Sequence, residues 1–242
     1  MKEKTFSEAI AHRRSVRVYD ADQPIDSKFV KQCIEDATLA PTSSNLQLWE
    51  FYHITSETQK KIIAATCFNQ PAAKTAHQLV IPVVRRDLWP SRVEANIKFI
   101  KKGFAKNNVV DSKTQDRALS YYQKIIPKLY RGGSQLQGFL NKLGIALFRS
   151  NKTSYREVGV SDLRVVCHKS VALASQNFMM SMAAKGYDTC PMEGFDSKQL
   201  KNILNLPKTA EISMVIGCGI RKPEGVYGDR FRVPFEEVYF EQ

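Results

Sequence analysis

Three arginines and a serine fall within five residues near the N-terminus, in the stretch His12-Arg13-Arg14-Ser15-Val16-Arg17-Val18-Tyr19-Asp20. Guanidinium groups are planar, stay charged at any working pH and donate paired hydrogen bonds to phosphate oxygens. If the chain runs extended from Arg14, a period of two sends Arg13, Ser15 and Arg17 to one side and Arg14, Val16 and Val18 to the other. One face is then built to hold an anion. Short basic runs are also common as solvated surface on basic proteins, so this stretch alone does not decide between the two readings.

A second polar stretch follows about 25 residues later in Pro41-Thr42-Ser43-Ser44-Asn45-Leu46-Gln47-Leu48-Trp49. Further along lie Asn69, the run Pro191-Met192-Glu193-Gly194-Phe195, and the pair Arg230 and Arg232. Taken singly these have plain explanations. Ser43 and Asn45 form turns anywhere, Glu193-Gly194 can be a simple turn, and Arg230 and Arg232 can be surface charges. Taken together and in this order they resemble the FMN-dependent nitroreductase family, over most of the chain outside residues 86–149.

The resemblance implies an α+β fold, with a mixed central β-sheet of four or five strands surrounded by helices. It also implies a homodimer binding FMN at each end of the subunit interface with residues from both chains. The activity implied is that of an NAD(P)H-dependent oxidoreductase. Hydride passes from NADH or NADPH, through FMN, to a nitroaromatic, quinone or similar small acceptor in a ping-pong cycle. Flavin reductase, dehalogenating and flavin-destroying chemistries within the same superfamily are the alternatives.

Residue by residue, the resemblance assigns Arg13, Arg14, Ser15, Arg230 and Arg232 to the phosphate. Arg17 falls near flavin N1 and the C2 oxygen, where a cation stabilises the reduced anion; relatives often carry lysine there. Asn69 falls at the ring edge. Pro191, Met192, Glu193 and Gly194 form a loop against the ring, with the Glu193 backbone N–H aimed at N5. Pro41, Thr42, Ser43, Asn45 and Gln47 reach the FMN of the second subunit. No side chain is assigned as nucleophile or metal ligand, because the cofactor carries the chemistry.

The elements that must position these residues follow from hydrophobic spacing. Phe6, Ala9 and Ile10 predict a helix ending just before the arginines, and Phe29, Val30, Cys33, Ile34 and Ala37 one that Pro41 stops. Residues 49–55 alternate as a strand. Ser56 and Gln59 form a capping box for a helix with Ile62, Ile63 and Thr66 facing inward.

The apolar run 79–84 predicts a strand covered on both faces, and its internal Pro82 argues for an edge or a bulge. Residues 86–149 form a lysine-rich helical insertion. Its clearest stripe is Leu136, Phe139, Leu140, Leu143 and Leu147, with a turn at Gly132-Gly133. From 161 to 185 apolar residues occupy nearly every face, predicting a helix of roughly 37 Å that is buried all round and lies in a subunit interface. Beyond the Gly186 stop, residues 187–190 and 212–219 predict strands. Between them Asp196 caps a helix that carries Leu200, Ile203 and Leu204.

The 242 residues suit one domain, 1–242, with a hydrophobic content of 43% that is ordinary for a globular chain. Thirty-six Lys and Arg against 24 Asp and Glu leave +12, which favours anionic partners. The basic residues are scattered and form no nucleic-acid-binding pattern, so nucleic acid is the weaker class of partner. Five cysteines without CxxC or Cys/His spacing indicate neither disulfides nor zinc and read as reduced thiols. With no apolar h-region or membrane-spanning run, the expected location is cytoplasmic.

Overall fold

The computed structural model describes residues 3–106, 111–131, 138, 140, 143 and 152–242. The first helix, α1 (Phe6–His12), is opened by a capping box in which the Thr5 hydroxyl accepts from the Glu8 N–H and the Glu8 carboxylate accepts from the Thr5 N–H. Helix α2 (Ser27–Ala37) is capped by Asp26 and turns Val30, Cys33 and Ala37 inward. Strand β1 (Trp49–Ile54) leads to α3 (Glu57–Thr66), where the Ser56 hydroxyl accepts from the Gln59 N–H. Ile63 and Thr66 face inward as expected, but Ile62 is half exposed, and its place is taken by the Lys60 stem. The Lys60 ammonium is neutralised by Glu57 and donates to the carbonyls of Ala76 and His77.

Helix α4 (Pro71–Lys74) precedes β2 (Gln78–Val84), every residue of which is buried. Helices α5 (Trp89–Lys106), α6 (Ser112–Ser120), a π-helical turn at Tyr121–Ile125 and α7 (Ile126–Tyr130) follow. The expected turn at Gly132-Gly133 and three members of the leucine stripe, Leu136, Phe139 and Leu147, lie outside the described residues. Leu140 and Leu143 are helical and exposed.

The long helix α8 (Val160–Ala184) ends at Gly186, whose φ of +83° suits glycine. Strand β3 (Asp188–Met192), α9 (Ser197–Ile203) capped by Asp196, β4 (Glu211–Ile212) and β5 (Val215–Gly219) complete the order. Pro191 and Met192, expected in a loop, belong to β3. The strand expected over 212–219 is interrupted at Ser213-Met214.

The sheet runs β1-β2-β5-β3, with β4 also on β2, and all these ladders are antiparallel. A parallel element enters through the bridge between Ser15 and Thr189 on the outer side of β3. Pro82 therefore sits in a central strand and not at an edge. It costs no ladder bond, because it falls where the neighbour of β2 changes from β5 to β4. Its carbonyl accepts from Ser213 N–H at 2.9 Å on that side, and its nitrogen faces the same interruption.

Two cores explain the continuous apolar run of β2. Val80 and Val84 pack with α2, α8 and Trp49 on one face. Leu79, Ile81 and Val83 pack with α3, α4 and α9 on the other. The sheet is thus covered on both sides, the arrangement in which strands lose their alternation. Helix α8 buries Cys167, Val171, Phe178 and Met182 along one stripe only. Val165 and Leu173 on its remaining surface are each 48% exposed. Among the described residues, no helix is long and apolar enough to cross a membrane.

Candidate functional site

The segment after α1 is pinned from both sides. Arg13 closes the helix, its N–H donating to the Ala9 carbonyl. Val16 N–H donates to Thr189 O, and Arg17 N–H donates to Gly225 O at 2.6 Å. Tyr19 is buried as an anchor, its hydroxyl donating to the Gly217 carbonyl at 2.9 Å and its ring lying against Gly219. A Cβ on Gly219 would stand 2.6 Å from that ring, so glycine is needed there for the close approach. Anchored at Val16 and Tyr19, the segment turns its polar side chains outward.

Those side chains line a cleft of about 220 Å³ with the tail of the chain: Arg13, Arg14, Ser15 and Arg17 from the head, Arg230 and Arg232 from the tail. Arg14 joins the same cleft, contrary to strict alternation. The segment makes single bridges and no continuous ladder, so nothing enforces the period of two. Five guanidinium groups face one carboxylate among the lining residues, Asp229. Burial lowers the proton affinity of Arg13, and crowding by Arg230, Arg232 and Arg14 lowers it further. An anion would relieve that repulsion.

The arginines are not equivalent. Arg230 donates to the carbonyls of Ala11 and Arg13 at 2.9 and 2.7 Å, and to that of Ile10 at 3.3 Å, and so clasps the C-terminal end of α1. Arg14 ties the head to the tail through the Gly228 carbonyl at 2.9 Å. Among the described residues, Arg232 donates to its neighbour alone, the Phe231 carbonyl. Arg13 and Arg232 thus carry the charge most open to a ligand, and Arg230 sets the position of Arg13.

Strand β3 carries the cleft toward a second group of expected residues. Gln70 spans from the Cys67 carbonyl at 3.1 Å to the Gly194 carbonyl at 2.7 Å, while Asp196 N–H donates to Thr66 O. These bonds hold the loop Glu193–Gly194 beside the turn that carries Asn69, whose φ is +53°. Glu193, Gly194 and Asn69 are all exposed on this rim. Met192 departs from expectation: its side chain is 2% exposed in the core, which leaves only its backbone for a ligand.

The residues Pro41, Thr42, Ser43, Asn45 and Gln47 form another surface and are absent from the arginine cleft. Ser44, Asn45 and Gln47 all adopt φ near +50°, a backbone that costs on the order of 1–2 kcal/mol per residue for side chains other than glycine. The loop is held by Gln47 N–H to Thr42 Oγ1, by Ser43 N–H to Ser170 Oγ on α8, and by bonds to the insertion. Trp49 of the same stretch is 5% exposed and serves the core.

A buried network behind the arginines was not visible in the sequence. Asp188, 3% exposed, accepts from the N–H and the guanidinium of Arg221, which also donates to the His12 carbonyl at 3.0 Å. His12 Nε2 lies 3.2 Å from Arg221 Nη2 and 3.3 Å from Asp188. Burial lowers the His12 pKa, and although Asp188 opposes this the net direction is down. We therefore take His12 as neutral, its Nε2 accepting from Arg221. All five cysteines are buried free thiols, and no group among the described residues is arranged to hold a metal ion.

The sequence model of the nitroreductase family matches residues 10–220. The protein DrgA of Synechocystis is 27% identical over 217 residues, covering 88% of this chain and 83% of that one. An oxygen-insensitive NADPH nitroreductase of Helicobacter pylori is 26% identical over 217 residues, covering 88% and 85%. A protein of Exiguobacterium sibiricum solved in complex with FMN superposes with a TM-score of 0.73 at 22% identity, over 100% of this chain and 99% of that one.

Proposed function

The chain belongs to the nitroreductase family, and from that premise we propose that it is an NAD(P)H-dependent FMN oxidoreductase acting on a nitroaromatic, quinone or similar small acceptor. The observation that carries the reading is the arginine cleft. Arg13 and Arg232, with the Ser15 hydroxyl and Arg14 beside them, present a net positive, partly desolvated site of the size and chemistry of a phosphate dianion. Its volume lies below the ~300–1,000 Å³ of a typical small-molecule pocket, so it suits the phosphoryl end alone. The ring end needs further surface.

That surface is the rim beyond β3. Arg17 lines the cleft and lies close enough to Cys190 to oppose, without cancelling, the rise that burial imposes on its pKa, and would balance negative charge on the reduced pyrimidine edge. Glu193 supplies a backbone N–H, and Gln70 keeps that loop beside Asn69. When bound, FMN supplies the two-electron chemistry, accepting hydride from NADH or NADPH and delivering it to the acceptor in a ping-pong cycle. The protein binds, orients and tunes.

A second copy of the chain completes the site. Val165 and Leu173 on α8 and the tail residues Phe231, Phe235 and Phe240 leave large apolar side chains 48–78% exposed, surface that a second copy would cover. The homodimer brings the 42–47 loop of one chain to the cofactor of the other. The test is an absorption spectrum of the purified protein supplied with FMN. Flavin bands that survive desalting and bleach with NADPH or NADH under nitrogen are expected; a protein left colourless would end the reading.

A further inference from the structure

The 42–47 loop is locked by the helical insertion, and the lock has the form of a device. Asn96 on α5 is 7% exposed. Its Oδ1 accepts from Asn45 Nδ2 at 2.9 Å, and its own Nδ2 donates to Asn45 O at 3.0 Å and to Arg92 O at 2.9 Å. Both N–H bonds and the carbonyl of the amide are therefore used. From the π-helical turn, two consecutive residues reach one serine: Tyr121 shares a hydrogen bond with Ser44 Oγ at 2.7 Å, and Tyr122 donates to Ser44 O at 3.0 Å. The two long side chains, on consecutive residues of the π-helical turn, thus meet at one residue.

Ser44 and Asn45, the residues so gripped, are two of the three in this loop that hold φ near +50°. A left-handed run of this kind persists only where its surroundings over-determine it. A plain surface hairpin would not need to spend a buried amide on a loop 51 residues away in sequence.

We infer that Asn96, assisted by Tyr122, is a positioning residue that holds the 42–47 loop in its ligand-facing shape and thereby sets affinity for the ring end of the flavin. The inference rests on the proposed function, because it needs that loop to face the cofactor of the second chain. It makes the insertion part of the site, acting at a distance from the phosphate.

The test compares Asn96→Ala and the milder Tyr122→Phe with the wild-type dimer. Three quantities are read: amide exchange of residues 42–48 without flavin, the dissociation constant for FMN, and that for inorganic phosphate. Losing a buried hydrogen bond and stranding its partner should speed loop exchange and weaken FMN by about fivefold to twentyfold in Asn96→Ala, and by about threefold in Tyr122→Phe. Phosphate affinity should not change. Unchanged loop exchange in both variants overturns the inference, as does faster exchange with wild-type FMN affinity. Parallel losses of FMN and phosphate would point to general destabilisation and overturn it too. Failure of the wild-type protein to bind FMN would instead bring down the underlying flavin reading, and wild-type affinity in Arg13→Ala would move the phosphate away from the arginine cleft.

Discussion

Arg13 and Arg230 lie in one cleft but do different work, and their removal should separate accordingly. In the proposed reading Arg13 offers its guanidinium to the flavin phosphate, so Arg13→Ala would remove charge-assisted bonds worth roughly 1.5–3 kcal/mol. FMN affinity should fall about tenfold to a hundredfold, with a melting temperature close to wild type in the absence of ligand. Arg230 spends its donors on the α1 carbonyls, so Arg230→Ala should lower both flavin affinity and the ligand-free melting temperature. Titration by flavin fluorescence quenching, with thermal melts of the same samples, distinguishes them. Equal behaviour of the two variants would contradict the division of roles. At this scale the sequence singles out Arg13, Ser15 and Arg17 by residue type, and the structure brings all three to one cleft. It was silent on Gln70 and Asn96, because an amide reveals nothing until its partners, Gly194 and Asn45, are brought within 3 Å of it.

The element that positions the arginines is the short stretch between α1 and Tyr19, fixed from behind by Asp188, Arg221 and His12. Because burial depresses the His12 pKa, the folded chain holds fewer protons than the unfolded chain once the pH falls through the ordinary histidine value of about 6.5. Stability should therefore decline from neutral pH through that value and on toward the lowered folded pKa, and rise as pH increases. Carboxylates held low, Glu57, Asp87 and Glu211 among them, titrate in a more acidic window. Urea midpoints at pH 7.5 and 5.5 should differ less in His12→Gln than in wild type; an identical difference would remove His12 from the account.

Strand and helix positions were mostly legible, because α2, α3 and α9 carry helical spacing and side-chain caps and β2 is a continuous apolar run. What the sequence left open has one cause. Whether Pro82 marks an edge or, as the structure shows, a bulge depends on which strand lies beside it, and the extension of β3 through Pro191 and Met192 depends on pairing with Ile216 and Val215. Neither partner is near in sequence.

For the whole molecule, the exposed face of α8 and the aromatic tail argue that one chain is half of the working unit. Leu173→Glu would place a charge on the 48% exposed face of α8 without disturbing the buried stripe, so the chain should still fold. Light scattering during size-exclusion chromatography should report a dimer for wild type and a shift toward monomer for the variant, with flavin retention falling in step. A variant that remains dimeric would relocate the interface. The apolar pattern of α8 led in the sequence to an expected interface; the structure shows one stripe serving the chain's own core while Val165 and Leu173 stay exposed.

Every sulfhydryl in the chain is placed under the sheet or behind a helix. Burial pushes Cys67 and Cys167 up to about 11 and raises Cys33, Cys190 and Cys218 as well. At neutral pH none of them presents a thiolate to solvent. If its acceptors are electrophiles such as quinones, as proposed, the folded protein would offer them no thiolate to alkylate.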